Sequence, residues 1–187
     1  MKKFELTNEF VTNMFGTKLF RIRALVEFGD VEAGELGGYV EKESNLGHDD
    51  NAWVYGDAQV SGDALVYDNA RVYGNAWVYG DAQVSGDALV YGDARVYDNA
   101  WVYGNGDYAY AHGFGSVNRT TTFFRLKDGG VGVRCGCFYG TLAQFRDKIR
   151  ETHGETKKAQ EYLMLADLME LRFEEDENEV GNRKYVE

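Results

Sequence analysis

Residues Ala52–Asn75 read AWVYGDAQVSGDALVYDNARVYGN, and Ala76–Asn99 repeat them almost unchanged as AWVYGDAQVSGDALVYGDARVYDN. With a final AWVYGN, residues 52–105 divide into nine hexads without an insertion. Each hexad begins Ala-x-Val followed by Tyr or Ser, which places Ala and Val on one side of an extended chain. The Gly-Asp, Gly-Asn or Asp-Asn pair that follows is typical of a turn, because Gly and Asn adopt left-handed backbone angles at low cost. The repeat predicts short strands joined by two-residue corners.

A repeat of fixed length favours a parallel solenoid over the other regular structures. An α-helix requires an apolar period of 3.6 residues and does not tolerate a Gly, Asp or Asn break in every hexad. A meander of antiparallel hairpins with this spacing would leave strands of only four residues. A solenoid instead stacks each coil on the previous one and continues the backbone ladders along its axis.

The spacing Val-x-x-x-Ala-x, as in VYGDAQ and VYGNAW, resembles the hexapeptide repeat of left-handed parallel β-helices. The resemblance covers residues 52–105 strictly and residues 40–51 loosely, and it implies a triangular coil of three hexads, or 18 residues. The left-handed sense is implied by the resemblance alone, since parallel crossovers are otherwise right-handed.

The duplication has a period of 24 residues, which is one coil plus one side, so each copy is rotated onto the next face. The predicted stacks are Trp53–Arg71–Leu89 on face one, Gln59–Trp77–Arg95 on face two and Leu65–Gln83–Trp101 on face three. We therefore expect the Arg71 guanidinium to lie over Trp53 and that of Arg95 to lie over Trp77.

The flanking segments predict a cap at each end of the solenoid. Residues 4–27 read as a β-hairpin that turns near residues 13–17, and the irregular residues 40–51 read as a capping coil. After Asn105 we expect a hairpin with its turn at residues 128–130, a helix opened by a Thr141–Gln144 capping box, and a second helix from about Thr156 to Phe173. The predicted fold is mainly β: an N-terminal β-hairpin cap (1–39), a left-handed parallel β-helix (40–111) and a C-terminal ββαα module (112–187).

The composition restricts the classes of partner. The chain has 20 basic and 31 acidic residues, a net charge of -11, and its basic residues form no run, so direct binding to a nucleic-acid backbone is not expected. No apolar run approaches the ~18 residues of a membrane span, and the start lacks the apolar region of a signal peptide. The two cysteines are too few and too close for a disulfide framework, so the chain reads as a protein of a reducing cytoplasm.

The sequence contains few candidates for catalytic or metal-binding residues. The resemblance implies relatives among acyltransferases that use acetyl-CoA or acyl carrier protein and a histidine as general base. The three histidines, His48, His112 and His153, all lie outside the regular hexads, and a capping or solvated role is preferred for each. His112 is the candidate catalytic residue if the chain is an enzyme. Cys135 and Cys137, predicted to lie on one side of a strand, are weak metal candidates because zinc requires about four ligands; no cofactor and no metal are expected.

The remaining feature is a set of aromatic and arginine side chains that point outward from the three faces, as residues that anchor interfaces do. They are Trp53, Tyr55, Arg71, Tyr73, Trp77, Tyr79, Tyr91, Arg95, Tyr97, Trp101 and Tyr103. Tyrosine ladders that only stabilise stacked coils are the competing interpretation.

The order of segments, including the entry GELGGYVE, also resembles proteins of phages and prophages of Gram-positive bacteria. This resemblance implies a non-enzymatic, homo-oligomeric binding scaffold in the cytoplasm of a bacterial host. Through its Tyr/Trp-rich faces it would recognise a host protein, such as a defence or nucleic-acid-handling protein, or it would sequester a nucleotide signal. The alternatives are a hexapeptide-class acyltransferase that uses acetyl-CoA and a self-assembling structural component.

Overall fold

The computed structural model describes residues 2–115 and 119–174. Met1, residues 116–118 and residues 175–187, which belong to the predicted flanking modules, lie outside this description. The described chain is mainly β, with a solenoid of about four turns and two C-terminal helices.

The N-terminal segment forms the predicted hairpin and then leads into the solenoid. β1 (Phe4–Thr12) pairs antiparallel with β2 (Lys18–Ala24), and β2 pairs antiparallel with β3 (Leu36–Val40). A short 3-10 helix, Glu43–Asn45, follows β3 and turns the first coil. The predicted irregular capping coil is therefore present.

The hexads form nine short strands on three sides of the solenoid. They are β4 (Trp53–Val54), β5 (Gln59–Val60), β6 (Leu65–Val66), β7 (Arg71–Val72), β8 (Trp77–Tyr79), β9 (Gln83–Val84), β10 (Leu89–Val90), β11 (Arg95–Tyr97) and β12 (Trp101–Val102). Parallel pairing in the orders β4-β7-β10, β3-β5-β8-β11 and β6-β9-β12 reproduces the three predicted stacks. All Ala and Val side chains of the hexads point inward and are at most 1% exposed.

The corners show why the hexad requires Gly or Asx residues. Gly62 has a φ of +69°, and a Cβ there would lie 3.1 Å from the backbone of Gly80 in the next coil. At the Asp-Asn corners, Asp68 and Asp98 adopt a φ of 56° instead. Stacked corner residues also bond to each other; for example, Asn75 Nδ2 donates to Asp93 Oδ1 at 3.1 Å. A carboxylate stacked on an amide gains a hydrogen bond in place of like-charge repulsion.

The N-terminal hairpin covers the first edge of the solenoid. β3 pairs parallel with β5 on face two, so β2 and β1 extend that face as an antiparallel sheet. Strand β3 thereby has a partner on each side, and the edge of the stack is not left open.

The C-terminal module contains the predicted hairpin and both predicted helices. A four-stranded antiparallel sheet runs β13 (Tyr108–Phe114), β14 (Arg119–Arg125), β15 (Val131–Cys135) and β16 (Phe138–Thr141). β14 and β15 are the predicted hairpin, and β13 and β16 are two further strands that flank it. The thiols do not share one strand: Cys135 ends β15, and Gly136, with a φ of +59°, turns the chain before Cys137.

The two helices cover one face of this sheet. They are α1 (Leu142–His153) and α2 (Lys157–Phe173). The Thr141 side chain accepts a hydrogen bond from Gln144 N, as the predicted capping box requires. The second core consists of Phe123 and Val133 from the sheet packed against apolar residues of the helices, namely Leu142, Phe145, Ile149, Ala159, Tyr162, Ala166, Met169 and Phe173.

A buried ion pair joins the solenoid exit to the module. Arg125 Nε lies 3.3 Å from Asp107 Oδ1, and both side chains are 9% exposed. Asp107 also accepts hydrogen bonds from the backbone N–H groups of Tyr103 and Gly104, and Arg125 donates to the carbonyl of Phe173.

Over residues 2–115 and 119–174, no helix has the length and apolar character that a membrane span requires.

Candidate ligand-binding groove

The first tryptophan of the repeat is buried. Trp53 is 0% exposed, and its ring meets Phe28 at 5.3 Å and Phe4 at 6.2 Å, both edge-on. The expected stacking of Arg71 on Trp53 is wrong, because the chain between β2 and β3 covers this end of face one. Arg71 instead pairs with Asp30 of that segment at 3.0 Å. Trp53 is therefore a core residue and not part of a recognition surface.

The tyrosines mostly contact each other. Tyr55, Tyr73 and Tyr91 stack along face one at ring separations of 5.9 and 6.0 Å. On face two, Tyr79 is 7% exposed and lies 4.4 Å from Tyr97. Of the predicted binding residues, only two are largely exposed, Tyr91 and Tyr103. This arrangement is that of ladders that stabilise the coils, and a binding role for the aromatic faces stays a prediction.

On face two the second predicted stack is present and opens into a groove. The Arg95 guanidinium lies 4.9 Å from the centre of the Trp77 ring, as expected from the 24-residue duplication. The C-terminal sheet lies beside this pair, and an open groove with a volume of about 530 Å³ lies between the sheet and the solenoid. We name this volume the groove; it is lined by Asn75, Trp77, Asp93, Arg95, His112, Arg119, Thr120 and Gly136.

The groove is held open by direct contacts between the solenoid and the C-terminal sheet. The backbone N–H of Arg95 donates to Thr122 Oγ1 of β14 at 3.0 Å. Nearby, Arg134 lies over the Tyr97 ring at 5.4 Å, and Tyr139 donates to Asn99 at 3.1 Å. The walls therefore belong to two packed units, and a ligand would not need to order them.

His112 occupies one wall with one ring nitrogen engaged. Its Nδ1 lies 2.9 Å from Thr120 Oγ1 on the neighbouring strand. In the described part of the chain, Nε2 has no hydrogen-bond partner. Sequence reasoning selected His112, Trp77 and Arg95 separately, and the structure brings them to the same groove.

A second, smaller pocket of about 320 Å³ adjoins the groove and shares Arg119 with it. Its walls are aromatic and apolar, with Phe138, Phe145, Ile149 and Tyr162, and its polar residues are Arg119, Cys135, Cys137, Lys148, Thr152 and His153. Gly136 lies between the two volumes, and the Arg119 guanidinium occupies the space that a Cβ on Gly136 would need. We name this second volume the side pocket.

The groove and the side pocket form a local basic region on an acidic protein. Among the described residues that line the two volumes, the cations are Arg95, Arg119 and Lys148, and the only carboxylate is that of Asp93, which accepts from Asn75 Nδ2. Lys148 pairs with Glu151 at 2.7 Å, but both side chains are exposed, so this pair contributes little. No pattern in the sequence indicates this region, because its basic residues come from separate segments of a chain with a net charge of -11.

The other candidates have structural surroundings. His48 Nδ1 accepts the backbone N–H of Lys3, Nε2 lies 2.9 Å from Glu43 Oε1, and the ring stacks on Phe4 at 4.5 Å. Both ring nitrogens of His48 have partners, so the side chain has a structural role at the N-terminal end of the solenoid. Lys2 and His48 hold the pKa of Glu43 below its ordinary value through hydrogen bonds.

The remaining histidine and the two thiols lie in the side pocket. His153 stacks on Tyr162 at a ring separation of 5.9 Å. Cys135 accepts a hydrogen bond from Thr121 Oγ1 at 3.1 Å, which is a packing contact within the sheet. Within residues 2–115 and 119–174, no cluster of three or more His, Cys, Asp or Glu side chains could hold a metal ion.

Comparison with known proteins supports the repeat architecture. A family model described as YdcK Beta solenoid repeat matches residues 58–70, 66–80 and 82–97. The repeats are β-solenoid repeats. The chain is also 34% identical over 82 residues to a protein of Escherichia coli (strain K12) named uncharacterized acetyltransferase YdcK. This match covers 40% of the present chain and 25% of that protein, so the chain spans about a quarter of its relative's length.

Proposed function

We propose that the protein is a binding scaffold whose groove holds a nucleotide-type small molecule. The observation that carries the proposal is the convergence of Arg119, His112 and the Arg95–Trp77 stack in one groove. Phosphate groups are bound by cationic side chains, and planar bases stack on aromatic rings and on guanidinium planes. The groove offers both kinds of partner within a volume typical of small-molecule sites.

Each lining residue has a definite role in this proposal. Arg119 has no ion-pair partner in the described part of the chain, so its charge is available to a phosphate without breaking a bond. The Arg95 guanidinium, which lies 4.9 Å from the centre of the Trp77 ring, would stack against a base. The side pocket would take an apolar extension of the same ligand, since its walls are largely aromatic.

The test is binding of ATP, coenzyme A and acetyl-CoA, measured by calorimetry and by thermal melting. At a ligand concentration of 100 Kd, binding stabilises the folded state by about 2.7 kcal/mol. For a protein of this size, that stabilisation raises the melting temperature by roughly 5–10 °C. We expect Arg119→Gln to weaken binding at least about tenfold, the loss of one charge-assisted contact.

The matched control is Arg23→Gln, which removes an exposed arginine of the N-terminal sheet far from the groove. It should leave the affinity unchanged. No heat and no thermal shift with all three compounds would disprove the proposal, as would an equal loss of affinity in the two variants.

A second candidate function is acyl transfer from acetyl-CoA, and it is favoured by the name of the Escherichia coli relative and by the position of His112. When Nδ1–H donates to Thr120, Nε2 is the basic nitrogen and faces no partner in the described chain. It would remove a proton from an acceptor amine or hydroxyl, which attacks the thioester carbonyl while coenzyme A leaves as the thiolate.

This candidate is tested by release of free coenzyme A in the presence of a panel of amines and alcohols. Catalysis by His112 predicts a fall of about 100-fold or more in rate for His112→Gln. Binding of coenzyme A should change little in the same variant. Tight binding without thiol release would leave the binding scaffold as the function.

The wider role expected from the sequence, recognition of a host protein, would be carried by the exposed part of the solenoid faces or by the groove itself. It is supported only by the order of segments described above. If the protein captures one stoichiometric bacterial protein from lysate and the groove ligand displaces it, then the partner and the ligand bind at the same groove.

A further inference from the structure

Helix α2 presents a second apolar stripe opposite the one that it buries. Its buried residues, Ala159, Tyr162, Ala166, Met169 and Phe173, face the module core. Met164, Leu168 and Leu171 are 71%, 54% and 68% exposed. Their spacing of four and three residues places them on one side of the helix, so they form a continuous strip rather than scattered exposures.

Exposure of this kind is uncommon on a soluble monomer and indicates an interaction surface. We infer that the strip is covered by α2 of a second copy of this chain, with the two helices antiparallel about a twofold axis between residues 164 and 168. In that arrangement Met164 of each copy meets Leu168 of the other, because a twofold interface is self-complementary.

The charges beside the strip select this occupant and this direction. Glu161 precedes the strip on the same side as Arg172, which follows it. An antiparallel pair places Glu161 of each copy near Arg172 of the other, giving two opposite-charge contacts across the axis. In a parallel pair, the flank that carries Glu161 and Arg172 in one copy would lie beside the opposite flank of the other copy, and both opposite-charge contacts would be lost.

Glu161 and Arg172 each make one hydrogen bond within the described part of their own chain. Glu161 accepts the backbone N–H of Gly115 at 3.1 Å, and Arg172 donates to the carbonyl of Asn105 at 3.3 Å. Each keeps capacity for a further hydrogen bond, because a carboxylate has two oxygens and a guanidinium has five N–H groups.

The strip is small, so the predicted dimer is weak. A stable interface buries about 1,200 Å² or more, and three side chains on each copy supply only part of that area. We therefore expect a dimer in the micromolar range that forms and dissociates with concentration, visible by analytical ultracentrifugation of the full chain.

The test uses one variant of the strip and one control. Leu168→Lys should abolish the dimer or raise its Kd at least about tenfold, while Met14→Lys, which alters a residue 64% exposed in the N-terminal turn, should leave it unchanged. Circular dichroism of both variants shows whether the helices remain folded. A chain that stays monomeric up to high micromolar concentration, or a dimer that survives Leu168→Lys, would overturn the inference.

Charge reversal tests the direction of the helices. Glu161→Arg alone and Arg172→Glu alone should each weaken the dimer by about two- to tenfold, and the double reversal should restore it. If the double variant is as weak as the singles, the antiparallel arrangement is wrong.

Discussion

The three tryptophans of the repeat occupy the same position of their hexads but lie in different surroundings, which makes substitution by alanine a test with internal controls. Trp53 is 0% exposed and makes edge-on contacts with Phe4 and Phe28. Trp77 and Trp101 are partly exposed on the outer surface. We predict that Trp53→Ala lowers the free energy of unfolding far more than the other two substitutions.

The magnitude follows from the contacts that each ring loses. Truncating a fully buried Trp costs about 3–5 kcal/mol, and this includes the two edge-on ring contacts, worth about 0.5–1.5 kcal/mol each. Trp77→Ala loses partial burial and the stack with Arg95, for a total of about 1–2 kcal/mol.

A further substitution separates ring packing from the indole N–H. Trp53 Nε1 is buried and has no acceptor in the described chain, and an unsatisfied buried donor costs about 1–3 kcal/mol. Trp53→Phe removes this donor and keeps an aromatic ring, so we expect it to cost clearly less than Trp53→Ala.

The assay is equilibrium unfolding in urea and by heat, with circular dichroism as the probe for all variants. For a protein of this size 1 kcal/mol corresponds to roughly 2–4 °C, so Trp53→Ala should melt about 6–20 °C below the parent chain. If the three Trp→Ala variants melt within a few degrees of one another, the assignment of Trp53 to the core is refuted.

The stability of the fold should also depend on the buried amine of Lys3 and on the corner residue Gly62. Lys3 is 3% exposed and donates to the Ala52 carbonyl at 2.8 Å, and burial lowers its pKa to about 8. The unfolded chain then binds more protons than the folded one between about pH 8 and 10, so stability should rise with pH across this window, by up to about 3 kcal/mol. Lys3→Met should remove that slope in urea titrations at successive pH values, and an unchanged slope would show that another group causes it. Gly62→Ala should cost about 1–2 kcal/mol, because its φ is +69° and the new Cβ would lie 3.1 Å from the Gly80 backbone, whereas Gly104→Ala meets no atom within 4 Å and should be nearly neutral; equal costs in thermal melts would contradict the steric account of the corners.

The sequence predicted what depends on the period of the repeat. Stacks such as Trp77–Arg95 follow from counting residues, because one coil of three hexads places residues 18 apart next to each other. The start of α1 was also predictable from neighbouring residues, because the hydrogen bonds of the Thr141 capping box join residues only three apart.

The parts that were not predicted depend on contacts between distant segments. Trp53 is buried by Phe4 and Phe28, and nothing within the hexads shows that these rings cover face one. The groove is a similar case, because Arg119 and His112 are isolated polar residues whose neighbours are set by how β13 and β14 pack on the solenoid. Charge counted along the chain could not reveal a basic region that exists only in the folded protein.

Hydrogen–deuterium exchange, with and without a saturating concentration of coenzyme A, tests most directly whether the groove on face two binds a nucleotide-type ligand. We predict slower exchange in peptides that contain Arg95 and in peptides of β14, because both segments line the groove. Peptides of face one, around Tyr73, should exchange at the same rate with and without the ligand. Protection on face one alone, or no protection anywhere, would contradict the assignment of the groove as the binding site.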